Sequence, residues 1–218
     1  NEDITEANSL GKLSLDVDRF IFVSRHVAKS KMPAFLVHFP GIWLSNTTPQ
    51  LAIADAITAK ILFNTLVKTD RYSEIKHFEI SFEATHHGPT HLKKPISFIE
   101  IGSTIEEWKK NIAGKFLFEV ILQSLDKIFS SNFATGICFG GPHYTPNFSK
   151  IELYTPIAIG HILPKYAFSN INKKTVIKMI ECTYPKPKYA IIDWKGLNSR
   201  QRSTLLSILE ELKDEYLL

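Results

Sequence analysis

Seven of the eight histidines in this 218-residue sequence fall in five short turns. These are Ser24-Arg25-His26, His38-Phe39-Pro40-Gly41, Thr85-His86-His87-Gly88-Pro89-Thr90-His91, Gly140-Gly141-Pro142-His143-Tyr144 and Gly160-His161-Ile162-Leu163-Pro164. Imidazoles gathered this way can ligate a metal, move protons, or simply hydrogen-bond within polar loops. A zinc site needs three or four N, O or S ligands at ~2.0–2.3 Å, and the chain offers almost no thiolate, so its metal ligands would be histidines. His26, His38, His87, His143 and His161 are the candidates. His87 and His91 are four apart, but Gly88-Pro89 between them breaks helical geometry, so spacing alone does not pair them. For any single histidine here a loop hydrogen bond is the commoner explanation; it is the cluster that points to chemistry.

His86, His87 and His143 are the candidate innermost catalytic residues, with Glu83 and Glu100 orienting them. A strand-end acid among apolar neighbours can orient an imidazole or serve as a base with a raised pKa, and equally it can cap or pair with a basic neighbour. Gly140-Gly141 follows an apolar strand and lets the backbone approach a ligand, presenting amides to a phosphate or an oxyanion. A plain tight turn is the commoner explanation of two glycines.

For such turns to meet, the strands before them must lie side by side with their carboxyl ends bordering one crevice, as in open α/β sheets. Runs of β-branched and aromatic residues predict strands at Arg19–Val23, Ala34–His38, Phe78–Glu83, Ile96–Ile101, Gly136–Phe139, Ile157–His161 and Tyr189–Ile192. Leu51, Ala54, Ile57, Ile61, Leu62 and Leu66 recur at helical spacing from Leu51 to Val67. Ser103 with Glu106 marks a helix start running through Trp108 to about Ile128, and Asn198 with Gln201 starts a last helix carrying Leu205, Leu206, Leu209 and Leu212. The pattern predicts an α/β fold, one three-layer domain over 1–218 with a mixed, mostly parallel sheet. Phe78–Glu83 and Ile96–Ile101, joined by a short polar loop, are expected as antiparallel neighbours. No long repeat or low-complexity segment interrupts it.

A hydrophobic content of 44% supports a real core without staples. Cys138 and Cys182 are far apart and form no CxxC pair, which fits a reducing, cytoplasmic setting. No apolar run approaches the roughly 20 residues a membrane span requires, and residues 1–9 are polar rather than signal-like. The first residue is Asn, so the N-terminus is expected to be incomplete. Net charge is +4, yet the stretch from Gly160 to Arg202 holds nine basic residues against two acids, leaving the rest of the chain at −3. Lys165, Lys173 and Lys174 belong to this stretch, which suits a phosphate backbone or, as simply, a solvated lysine-rich face.

The sequence contains no GxSxG elbow, GxxxxGK[ST] loop, HExxH helix or intact GxGxxG fingerprint, so a hydrolase using water gains by elimination. Read together, Ser24-Arg25-His26 with Pro33 and His38, Glu83 to Pro89, Phe98 to Thr104 with Glu107-Trp108, Gly140 to Pro146, Gly160 to Ala167 and Asp193 to Leu197 resemble the archaeal-type D-aminoacyl-tRNA deacylases, which have relatives in plants. The likeness covers nearly the whole chain, six segments in one order. An additional N-terminal strand and helix usual in that family has no counterpart here. The resemblance implies hydrolysis of the ester joining a D-amino acid to the terminal ribose of tRNA, a link to zinc, and a monomeric fold distantly like that of peptidyl-tRNA hydrolases. It implies aminoacyl-tRNA as the partner, with neither DNA nor membrane. Two other readings stay open: a metal-dependent amidohydrolase or peptidase acting on a small substrate, and a non-catalytic tRNA-binding module.

Overall fold

Ile96–Ser103 is buried at nearly every position on both faces, as a central strand must be. The computed structural model, which describes residues 3–7, 9–10, 16–43 and 48–216, is built around it. In chain order the strands are β1 (Phe20–Val27), β2 (Ala34–His38), β3 (Gly41–Ile42), β4 (Gln50–Leu51), β5 (Ala54–Asp55), β6 (Glu79–Phe82), β7 (Ile96–Ser103), β8 (Ala134–Phe139), β9 (Ile157–Leu163), β10 (Thr183–Tyr184) and β11 (Tyr189–Ile192). The helices are α1 (Ala56–Lys68), α2 (Ile105–Trp108), α3 (Asn111–Ser130), α4 (Pro146–Tyr154), α5 (Lys173–Glu181) and α6 (Ser199–Tyr216).

β7 carries β1 in parallel along one edge and β2 antiparallel along the other. Ile96 pairs with both Phe20 and Ala54, so β5 continues the β2 edge. With β6 added to β2 and β10 to β5, the order is β10-β5-β7-β2-β6. A second sheet, β11-β8-β9, is wholly parallel, and β3 and β4 form a small antiparallel pair. Six of these eight pairings are parallel, which makes the sheet mixed and mostly parallel, as the sequence predicts. The segment after β6 stitches the two sheets together. Ala84 N–H donates to His143 O (2.8 Å), Thr85 N–H to Ile162 O (3.2 Å) and His86 N–H to Phe39 O (3.3 Å).

α1 is buried on almost every side, the mark of an interior helix. It packs among Phe35 and Val37 of β2, Ile159 and Ile162 of β9, and Phe116 and Leu117 of α3. Alternation along β8 divides the core, because Cys138 faces that cluster while Ile137 and Phe139 face a second one made with Met179 of α5 and Leu205 and Leu212 of α6. Both cysteines are free and buried. No helix among the described residues is long and apolar enough to cross a membrane.

Three expectations are corrected. β6 and β7 are not neighbours, because β2 lies between them and pairs with both. The predicted Leu51–Val67 helix begins only at Ala56: Ala54 is held extended by its pairing with Ile96 and Thr183, and Asp55 Oδ1 then caps the helix by accepting from Thr58 N–H (3.1 Å). Ser103 caps nothing, since it is still paired in β7 and its hydroxyl donates to Met32 O (2.7 Å). Thr104 and Glu107 form the capping box instead, and the helix stops at Trp108 before α3 restarts at Asn111. The Asn198–Gln201 box is present as predicted, with reciprocal bonds of 3.0 and 2.9 Å.

One buried ion pair ties α1 to α4. Lys60 Nζ donates to Glu152 O (2.6 Å), Thr155 O (3.0 Å) and Ile157 O (2.9 Å) and lies 3.3 Å from Glu152 Oε2. Burial pushes the Glu152 carboxyl up to about 7, against the pull of Lys60 and of a bond from Ile159 N–H. A carboxyl whose folded pKa is raised contributes stability at low pH that is lost as pH rises through the folded value. Lys60→Met should therefore cost about 3–5 kcal/mol at pH 8, where Glu152 must either stay charged without its partner or take up a proton from solution, and distinctly less at pH 5. Urea unfolding at both pH values checks this; an equal loss at the two would refute the assignment.

Candidate active site

Side chains alternate along a strand, so register decides which of them share a face. Ser24, Glu100 and Leu36 form one row across β1, β7 and β2. His38 lies one pair further along beside Phe98, and His26 one pair back beside Gly102. Ser24, His26, His38 and Glu100 therefore all point to the same side. A Cβ at Gly102 would stand 3.0 Å from His26 Cβ and Cδ2, so glycine there leaves the imidazole its space. Glu83 and the turn after β6 complete the site from the next strand, and His143-Tyr144 close over it, with Glu83 bridging to Tyr144.

Two carboxyl–imidazole–tyrosine chains result. In the first, Ser24 donates its hydroxyl to Glu100, His26 Nδ1 faces Glu100 Oε2 at 3.2 Å, and His26 Nε2 meets the Tyr144 hydroxyl at 3.1 Å. In the second, His143 Nε2 faces Glu83 Oε1 at 3.2 Å and His143 Nδ1 meets the Tyr166 hydroxyl at 3.1 Å. His26 Nδ1 also stands 3.7 Å from Glu83 Oε2, which links the chains. Since the carboxyl side of each ring nitrogen must carry the proton, each tyrosine donates its O–H to the other nitrogen.

Between these chains lie His38, His86 and His87, with ring centroids 4.2–4.8 Å apart. His86 Nδ1 bonds to Ala84 O (2.8 Å) and His87 Nδ1 to Gly88 O (2.6 Å). A carbonyl can only accept, so both rings hold their proton on Nδ1 and offer an Nε2 lone pair. Burial pulls the pKa of both down, and His38 beside them adds to it. Burial also opposes charge on His38, but the Glu100 and Glu83 carboxylates outweigh it and hold its pKa up. Burial likewise works against Glu100, yet the facing imidazoles of His26 and His38 and the Ser24 hydroxyl keep it well below the usual carboxylate range. The expectation of a base with raised pKa therefore does not hold at Glu100.

This arrangement calls for a positive charge. Both oxygens of fully buried Glu83 and both ring nitrogens of fully buried His38 lack a well-aligned hydrogen-bond partner. Three sets of possible ligands bring their atoms within 4.8 Å of one another: His38, His86 and His87; His26, Glu83 and His86; and His38, Glu83 and Glu100. Orphaned buried acceptors and free imidazole lone pairs suit a cation such as zinc.

Of the residues singled out from the sequence, His26, His38, Glu83, His86, His87, Glu100 and His143 come together. His161 does not fit as a ligand: Nε2 donates to Ala52 O (2.9 Å) and Nδ1 accepts from Thr85 Oγ1 (3.1 Å), so neither nitrogen is free. Burial draws its pKa down to about 4, and its role is to hold Thr85, next to His86, in the seam between the sheets. Gly140 cannot present its amide to an oxyanion, because that N–H is spent on Leu163 O (2.8 Å). Lys165 is exposed beside Tyr166, and Lys173 and Lys174 are exposed on the first turn of α5. Sequence reasoning overlooked Tyr144, Tyr166 and Ser24. Their signals are a phenol directly after His143, a phenol directly after Lys165, and a hydroxyl one strand period before His26.

Buried carboxyls and imidazoles at the strand ends of a mixed α/β fold, with both thiols confined to the core, suit a hydrolase that needs no cysteine nucleophile. The chain belongs to the D-aminoacyl-tRNA deacylase family, whose sequence profile matches residues 13–217. It is 37% identical over 210 residues to a D-aminoacyl-tRNA deacylase of Thermococcus onnurineus, covering 94% of this chain and 75% of that one. A D-aminoacyl-tRNA deacylase of Pyrococcus abyssi is 35% identical over 210 residues, with the same coverage of each. A crystal structure of a conserved protein of unknown function superposes with a TM-score of 0.84 at 31% identity, over 96% of this chain and 75% of that one.

Proposed function

We propose that this D-aminoacyl-tRNA deacylase hydrolyses its ester at the Glu83–His143 end of the cluster. The observation that carries the reading is that His143, whose side chain is 34% exposed, is backed by a fully buried carboxyl 3.2 Å away. His143 takes a proton from the attacking water at Nδ1, the nitrogen that Tyr166 meets in the free enzyme, and Glu83 stabilises the resulting imidazolium. Water oxygen bonds to the carbonyl carbon, the bond to the ribose oxygen breaks, and His143 returns the proton to that oxygen. Free D-amino acid and tRNA leave. When His143 Nδ1 turns to the water, the Tyr166 hydroxyl is released to supply an O–H donor for the negative charge that develops on the carbonyl oxygen, while Tyr144 stays bonded to His26.

His38, His86 and His87 are the residues that would hold zinc, with His38 giving up the proton that Glu100 and Glu83 favour on it. Zinc bound there would supply Lewis-acid chemistry for polarising an ester carbonyl. The deciding assay compares matched D- and L-aminoacyl-tRNA before and after chelation. Faster release of the D-amino acid, lost on chelation and restored by zinc, is the expected result; indifference to chelation removes the metal, and equal rates on both substrates remove the chirality.

The lysines after β9 support a tRNA-facing surface. Reversing Lys173 and Lys174 to glutamate should weaken tRNA binding and flatten the slope of log K against log salt, by roughly 0.7–0.9 for each phosphate that is no longer neutralised. A titration between low and moderate salt reads the slope, and an unchanged slope would remove these two residues from the interface.

A further inference from the structure

Tyr166 is hydrogen-bonded to the proposed catalytic imidazole, yet 60% of it is exposed. Its ring forms one wall of a 570 Å³ cavity bounded also by Gly141, Pro142, Lys165, Gly196 and Gln201. Three separate turns meet there, and the meeting is tightly constructed. Gly141 has φ +78°, and a Cβ on Gly196 would stand 2.6 Å from Gly141 N, so the two backbones touch only because both positions are glycine. Lys165 N–H donates to Gly141 O (3.0 Å), and Gly196 N–H donates to Asp193 Oδ1 (3.1 Å). Asn147 donates to the other oxygen of Asp193 (3.1 Å), which leaves that acid engaged on both sides. The cavity floor is thus fixed, while the Lys165 and Tyr166 side chains stand exposed at its mouth.

We infer that this cavity binds the 3′-terminal nucleotide of the acceptor end, with the base stacked on the Tyr166 ring and its phosphate met by Lys165. The inference rests on the deacylase reading given above. In such a substrate the scissile ester is on the terminal ribose, so its base must sit one nucleoside away from the proton-transferring group. The His143 and Tyr166 ring centroids are 6.3 Å apart, which places an aromatic platform at that reach. An exposed aromatic ring beside an exposed lysine is the usual means of gripping single-stranded nucleic acid, because every base has a stackable face and every nucleotide a phosphate.

The cavity on the other side of the His143-Tyr144 turn does not suit a nucleotide. It measures 650 Å³, is lined by Met32, Leu36, Ile80 and Tyr144, includes Glu79, and has no basic residue to meet a phosphate. The 660 Å³ cavity lined by Lys60, Lys68, Lys127 and Phe133 shares no residue with the histidine cluster, so it does not place a base one nucleoside away from His143.

The test uses uncharged tRNA whose terminal adenine is replaced by 2-aminopurine, a base whose fluorescence falls when it stacks. Binding to the parent chain and to Tyr166→Phe should quench it, because the ring is kept. Tyr166→Ala should abolish the quench and weaken binding about 5- to 100-fold. tRNA lacking the terminal nucleotide should bind the parent and Tyr166→Ala equally. Lys165→Ala, with the ring intact, should weaken binding and lower its salt slope. Tyr166→Phe, which lacks the hydroxyl donated to His143, separates the two roles: its turnover falls while its quench persists.

If the parent deacylates D-aminoacyl-tRNA but leaves the bound 2-aminopurine bright, the subsite is wrong and the activity stands. If the parent neither binds nor deacylates, both readings fall. A quench that survives Tyr166→Ala also overturns the assignment, because the base would then be stacked elsewhere.

Discussion

Glu83→Gln is expected to deacylate D-aminoacyl-tRNA at least ~100-fold more slowly than the parent chain while unfolding at a similar temperature. The residue is fully buried, and its carboxyl faces the imidazoles of His143 and His26, at 3.2 and 3.7 Å. Glutamine keeps the volume, so packing against Phe82 and Ala84 should survive. It replaces one acceptor oxygen with a donor amide and removes the charge that would stabilise the His143 imidazolium. The change therefore acts on the transition state more than on substrate binding and should appear in kcat rather than KM. Single-turnover deacylation with saturating enzyme isolates that step. A rate within fivefold of the parent would show that Glu83 merely fills the site.

His87→Asn should lower deacylation by ~100-fold or more and reduce the zinc retained after gel filtration. Asparagine is chosen because His87 has φ 41°, a left-handed conformation in which Asn is far more at ease than Ala. His87→Ala would combine that strain with the lost imidazole and so report two effects at once. His87 Nδ1 is tied to Gly88 O, which leaves Nε2 aimed toward His38 and His86. If His87 is a ligand, metal content and rate fall together. Full zinc retention with full activity in His87→Asn would dismiss it from both roles.

Much of the scaffold was legible because strand periodicity is a local property. Ala34–His38 and Tyr189–Ile192 were predicted with the bounds they have, and β7 runs only two residues beyond its predicted end. β-Branched and aromatic alternation reports that a segment is half-buried and extended, whichever neighbour covers it. Pairing is not local. Nothing in Phe78–Glu83 or Ile96–Ile101 reveals that β2 will insert between them, since the short loop joining them suits a hairpin equally well. Leu51 and Ala54 fit a helical stripe, yet Asp55 fixes the boundary through a bond to Thr58, and tertiary pairing with β7 and β10 decides the residues before it.

The candidate site divides along the same line. Histidine content, turn positions and the two acids were visible in the sequence, and a residue's type follows directly from it. What each imidazole does depends on which acceptor faces each ring nitrogen. His161 and His87 look alike as strand-end histidines, but one has both nitrogens bonded and the other leaves Nε2 open. Gly140 looked like an oxyanion donor until Leu163 O took its amide.

The sequence of this chain established an α/β fold, a set of imidazoles placed after strands, a membership in one deacylase family and a basic stretch near the C-terminus, because composition, alternation and motif order are carried by neighbours along the chain. Only the tertiary structure decided that Glu100 serves His26 while Glu83 serves His143, that each of these two imidazoles ends on a tyrosine, and that His161 holds the seam between sheets. Those assignments depend on strand register and on the direction of individual lone pairs, which residues far apart in sequence fix together only once the chain has folded.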